Sequence, residues 1–200
     1  MKRIAICAPL AVAALVALPA TALGFKFGAK LNREPDNSAP PHSCTADGGA
    51  GVSSPCTRVL VSSETGLAGG NLTAPSKGVI TKFRVRAGAP GTIRFKLVKL
   101  KNLNLGSKSA DGKALAKSKK FQVQGNGFNS TNAIETFNVN MKVKKGEYIA
   151  IDSSSTAALR CTQGSTRQLL WSPVLKIGDP FRQNNGDGNC TLMVQAIGHK

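Results

Sequence analysis

Phe137-Asn138-Val139-Asn140-Met141-Lys142-Val143 carries an apolar residue at every second position, with polar residues between. A period of two belongs to a strand with one face buried and one wet. Lys144-Lys145-Gly146-Glu147 follows as a turn, and Tyr148-Ile149-Ala150-Ile151-Asp152 resumes as a second strand. Upstream, Gly78 to Arg86 alternates as well: Thr81, Phe83 and Val85 fall on one face, with Lys82, Arg84 and Arg86 on the other. Ala87-Gly88-Ala89-Pro90-Gly91 reads as a turn, and in Thr92 to Leu97 the apolar Ile93, Phe95 and Leu97 oppose Arg94 and Lys96. Two alternating runs around a short Gly/Pro turn predict a hairpin.

Further short runs stand at Arg58–Ser62, Phe121–Gln124, Gln168–Ser172 and Thr191–Ile197. No window of eleven or more residues keeps a period of 3.6, and Ala110–Lys120 has room for a helical turn at best. Short strands separated by Gly, Asn and Asp turns predict an all-β sandwich or barrel.

Lys-Lys-Gly-Glu-Tyr-Ile-Ala-Ile-Asp at 144–152 is similar to the turn and strand of jelly-roll modules. Together with Gly78–Val85 and Leu170-Trp171-Ser172-Pro173, it resembles uncharacterised secreted β-sandwich proteins of high-GC soil bacteria. That resemblance covers roughly residues 57–198 and implies an antiparallel, jelly-roll-like β-sandwich for the domain read at residues 57–200. It brings no activity and no site residues.

Met1-Lys2-Arg3 is a cationic start, Ile4–Leu18 is an uncharged apolar run, and Ala20-Thr21-Ala22 has the small-x-small form of a cleavage site. Residues 1–22 are therefore expected to be a secretory signal peptide. The apolar run falls short of the ~20 residues a membrane span needs. Residues 23–56, rich in Gly, Asn and Pro, read as a flexible tether ending in a disulfide loop.

Export predicts oxidised cysteines. Beyond Cys7 the chain has Cys44, Cys56, Cys161 and Cys190, which allow three pairings. Local loop closure favours Cys44–Cys56 with Cys161–Cys190. Their spacings are too wide for the close pairs of a four-thiolate zinc site.

Lys plus Arg number 27 against 10 Asp plus Glu, a formal charge of +17, so the partners to weigh are anions. The hairpin, if formed, collects Lys82, Arg84, Arg86, Arg94 and Lys96 on one outer face, and a lysine-rich connection from Lys99 to Lys120 follows it. The bland account is a solvated, edge-blunting surface that keeps the chain soluble. The functional account is a binding face for an anionic polysaccharide or cell-wall polymer. One Trp and one Tyr are too few for a base-stacking platform, which argues against specific nucleic-acid recognition.

Catalysis finds little support. No Gly-x-Ser-x-Gly elbow, Ser-x-x-Lys or phosphate loop is present, and the two histidines, His42 and His199, sit beside Pro41 and at the penultimate position. Glu135 and Asp152 near strand ends are the one carboxylate pair to weigh for sugar hydrolysis. Gln183–Asn189 offers oxygen ligands for calcium, yet holds a single carboxylate and none of the EF-hand spacing. The expectation is a secreted or cell-surface, non-catalytic binding module without metal or cofactor. A structural assembly protein is the second reading, and a glycan hydrolase the third.

Overall fold

The computed structural model describes residues 23–35, 44, 52, 55–125, 134–153, 159–161 and 167–200, with backbone alone at 153 and 159–161. The predicted signal peptide and His42 lie outside the described residues. Thirteen strands follow in chain order: β1 Gly24–Gly28, β2 Cys56–Leu60, β3 Gly78–Val85, β4 Gly91–Asn104, β5 Ser109–Val123, β6 Glu135–Val143 and β7 Tyr148–Ser153. The remainder are β8 Leu159–Cys161, β9 Gln168–Trp171, β10 Arg182–Gln183, β11 Gly186–Gly188, β12 Cys190–Leu192 and β13 Val194–His199. Only a three-residue 3-10 turn, Ala68–Gly70, is helical among the described residues.

Two antiparallel sheets pack face to face, so the all-β sandwich class holds. The smaller sheet runs β1-β13-β3-β6, the larger β10-β5-β4-β7-β2-β9-β11, and β12 pairs with β8 beside them. Between the sheets Phe27, Ile80, Phe83, Phe95, Leu97, Ile149 and Ile151 form the main core. In β6 the expected alternation appears: Met141 and Val143 are buried and Asn138, Asn140 and Lys142 exposed. In β3 a bulge at Thr81 shifts the phase, so Ile80 rather than Thr81 joins Phe83 and Val85 in the core.

The predicted hairpin of residues 78–97 does not form. β3 belongs to the smaller sheet and β4 to the larger, and Arg86–Gly88 cross between them as a buried arch. The two apolar faces therefore meet across the core, with Phe83 stacked on Phe95 at 4.4 Å and 3°. Ala110–Lys120 is part of a long strand, not a helical turn.

The larger sheet is buried on its outer face too. Val59, Val98, Ala150, Leu169 and Trp171 gather there beneath Leu175, which belongs to the connection between β9 and β10. Trp171 is fully buried and its Nε1 donates to the Arg182 carbonyl at 2.8 Å.

The N-terminal segment departs from the expected tether. Gly24–Gly28 pairs along β13, from Gly24 opposite His199 to Gly28 opposite Gln195, and Phe25 and Phe27 enter the core. Its period-two signal is only two apolar residues between glycines, which the Pro- and Asn-rich stretch behind it obscures. Cys44 and Cys56 are disulfide-bonded and packed with Leu170. Cys190 is also disulfide-bonded, and the residue opposite it in the β8–β12 ladder is Cys161.

Candidate functional site

The arch separates the five basic residues expected on one face. Lys82 is exposed on the outer face of the smaller sheet, and Arg84 beside it donates to Gln195 Oε1 at 3.1 Å. Arg86 is buried where the chain crosses between sheets. It donates to the Leu31 carbonyl at 3.2 Å and pairs with Glu34 at 3.5 Å, which fastens the segment after β1. Arg94 and Lys96 lie on the outer face of the other sheet. No single face holds all five.

Lys96 is a structural cation. Its side chain is 2% exposed, its Nζ stands 2.7 Å from Asp152 Oδ2, and it donates to the Leu175 carbonyl. Thr57 Oγ1 donates to Asp152 Oδ1 at 2.6 Å and accepts the Leu175 N–H at 3.0 Å. Both backbone groups of Leu175 are thus held by one Lys–Asp–Thr node, which pins the β9–β10 connection over the sheet. Burial pushes the Lys96 ammonium below its usual value, against the opposing hydrogen bond and charge of Asp152.

A further group of cations lies on β4, β5 and the turn between them, neighbouring strands of the larger sheet whose far ends run on as a ribbon. The register of the pair places Arg94 opposite Lys120, Lys96 opposite Lys117 and Lys99 opposite Lys113. Lys99, Lys101, Lys108, Lys117, Lys119 and Lys120 are exposed. Lys101 lies over the Phe181 ring at 4.2 Å, and Lys108 pairs with Asp187 at 3.4 Å. Lys99–Lys120 is strand rather than the expected connection, and three register shifts in the pair break the strict alternation that marks a strand in sequence.

Beside Arg94 and Lys120 lies a notch of about 280 Å³, lined also by Pro55, Thr92, Asp152 and Val174. Arg94 Nε is shielded from solvent and has no hydrogen-bond partner among the described residues. Asp152 is held by Lys96 and Thr57, and Arg94 and Lys120 are the cations lining the notch. An oxyanion fits that donor set.

The carboxylates weighed for hydrolysis are not brought together. Glu135, on β6 of the smaller sheet, accepts from the Gln124 and Gly125 N–H groups at 3.0 and 3.2 Å. Asp152 belongs to the larger sheet and to the Lys96 node. In the 183–189 stretch the amides join loops: Asn184 Oδ1 accepts from the Ala110 N–H, and Asn185 makes two bonds to the Ser172 backbone. Among the described residues no group of His, Cys, Asp or Glu has the arrangement to hold a metal.

The fold and this surface define the class: an all-β sandwich whose larger sheet presents a cationic strand pair, β4 and β5. Beyond the class, no family model, no curated protein and no solved structure matches the chain.

Proposed function

We propose that the chain is an exported, non-catalytic binding module for anionic polymers, such as acidic glycans or phosphate-bearing cell-envelope polymers. The β4–β5 ribbon is the binding surface, and the Arg94–Lys120 notch seats one oxyanion at its base. The observation that carries this reading is the register of the β4–β5 pair, which sets Arg94 opposite Lys120 and Lys99 opposite Lys113, while Lys96, opposite Lys117, is already paired with Asp152. Like charges directly opposite destabilise a ladder, and an anionic strand laid along it reverses that penalty. The leader-like residues 1–22 and the Cys44–Cys56 bond support export to an oxidising compartment.

Binding to polygalacturonate and to a teichoic-acid-type polyphosphate, followed at two salt concentrations, tests the reading. The triple variant Lys113→Ser, Lys117→Ser, Lys120→Ser should lose about tenfold or more in affinity and show a shallower salt dependence, because fewer counterions are released. The control Lys26→Ser, Lys82→Ser, Lys145→Ser removes equal charge elsewhere and should lose less than about threefold. Equal losses in both overturn the assignment of the ribbon and leave only diffuse charge.

A further inference from the structure

At the other side of β5, Leu115 and Ala116 approach the end of the smaller sheet and enclose a cleft of about 470 Å³. Gly78, Val79 and Val143 form its other wall, with Lys77, Lys142 and Lys144 at the rim and Glu147 among its lining residues. This volume lies within the ~300–1,000 Å³ typical of small-molecule sites. The cleft owes its shape to a bulge. Leu97 stands opposite Ala116 and Val98 opposite Ala114, so Leu115 is the extra residue of β5. Bulges re-aim side chains, and Leu115 here lines the cleft. Val79 and Leu115, both half-buried, belong to neither of the large apolar clusters. Lys77, Lys142 and Lys144 are exposed and make no ion pair among the described residues.

We propose that this cleft binds one amphipathic monoanion of the medium-chain alkyl carboxylate class. The chain lies on Val79, Leu115, Ala116 and Val143, and the carboxylate meets the ammonium groups of the rim. A hydrophilic polymer has no use for the apolar floor, and a neutral hydrocarbon none for the three lysines. Only a ligand with both parts uses the whole site. The site shares Leu115 and Ala116 of β5 with the ribbon but takes its other residues from the end of the smaller sheet, and its test does not depend on polymer binding. Glu147 is the one acidic group lining the cleft, so its charge opposes the ligand's carboxylate.

Calorimetric titration of the full exported chain with sodium decanoate tests the proposal, with 1-decanol and acetate as comparison ligands. One decanoate should bind per chain, decanol at least about tenfold more weakly, and acetate without measurable heat. Leu115→Asp removes the apolar floor and should lower decanoate affinity by about tenfold or more. Lys142→Glu with Lys144→Glu reverses two exposed charges and should do the same, a change that does not touch the core. Glu147→Gln should tighten binding severalfold by removing the like charge. Glu147→Gln, which lies off β4 and β5, should retain polymer affinity within about twofold, and the double-lysine variant should lose only what its change in net charge accounts for. Decanol binding as tightly as decanoate overturns the proposal, as does acetate displacing decanoate or unchanged affinity in both the Leu115 and the double-lysine variants. Vesicles of zwitterionic phosphatidylcholine probe the other source of an acyl chain. Co-sedimentation that Leu115→Asp abolishes overturns the assignment to a free carboxylate.

Discussion

Two opposite charges share the space under residues 172–181. Lys96 and Asp152 are held 2.7 Å apart, and the Thr57 hydroxyl and the Leu175 backbone complete their hydrogen bonding. Removing one member of a buried pair is worse than removing both, since the survivor keeps its desolvation penalty and loses its attraction. Asp152→Asn should therefore destabilise the protein by about 3–5 kcal/mol, because it strands a nearly unexposed ammonium. Lys96→Met should be milder, since Asp152 keeps the Thr57 hydrogen bond and some access to water. The double variant should be more stable than Asp152→Asn alone. Urea unfolding of the four proteins gives the coupling directly, and strictly additive losses would show that the pair does not act as a unit.

At the scale of elements, the ribbon closes on Trp171. Gly112 sits in β5 where a Cβ would stand 2.7 Å from Trp171 Cζ2, and the indole is itself tethered to Arg182. Gly112→Ala should cost about 1–3 kcal/mol through overpacking. As Trp171 is the only tryptophan, its fluorescence reports the displacement, and an unshifted spectrum with unchanged stability would refute the contact. Period-two patterning made β3, β4, β6 and β7 legible in the sequence, because each has a face turned to the core. The same pattern is silent on which strands lie side by side. A run ending in Ala87-Gly88-Ala89 serves a hairpin and an arch equally well, and burial of Arg86–Gly88 decides for the arch. That choice determined the fate of the basic face: Lys82 and Arg94 share a sequence pattern and occupy opposite sides of the molecule. Lys96, an alternating polar position in the sequence, is interior because residues 172–181 cover the sheet. The Leu115 bulge left no signal beyond an apolar residue out of phase.

At the scale of the whole molecule, charge is the dominant unsettled quantity. A formal +17 on 200 residues repels itself, and folding brings those charges closer together. Few described carboxylates answer them, and several of those are engaged with Lys96, Arg86 or Arg167. The melting temperature should therefore rise as sodium chloride increases from about 0.02 to 0.5 M, since screening weakens repulsion over a Debye length that shrinks from tens of ångströms to a few. Phosphate or sulfate at equal ionic strength should raise it further by occupying the cationic ribbon. A melting temperature that falls with salt would mean that attractive surface pairs outweigh the repulsion.

β13 is an interior strand of the smaller sheet, flanked by β1 and β3, so the last described strand holds the first in place. Phe25 and Phe27 have no ladder to join until Val194–His199 has been made. A chain released early therefore cannot finish this sheet, however correct the rest of its sequence. The arrangement acts as a test of length: only a polypeptide extended through Val194–His199 can cover Phe25 and Phe27. Any machinery that handles the chain from its N-terminus forward meets Gly24–Gly28 unpaired until Val194–His199 follows.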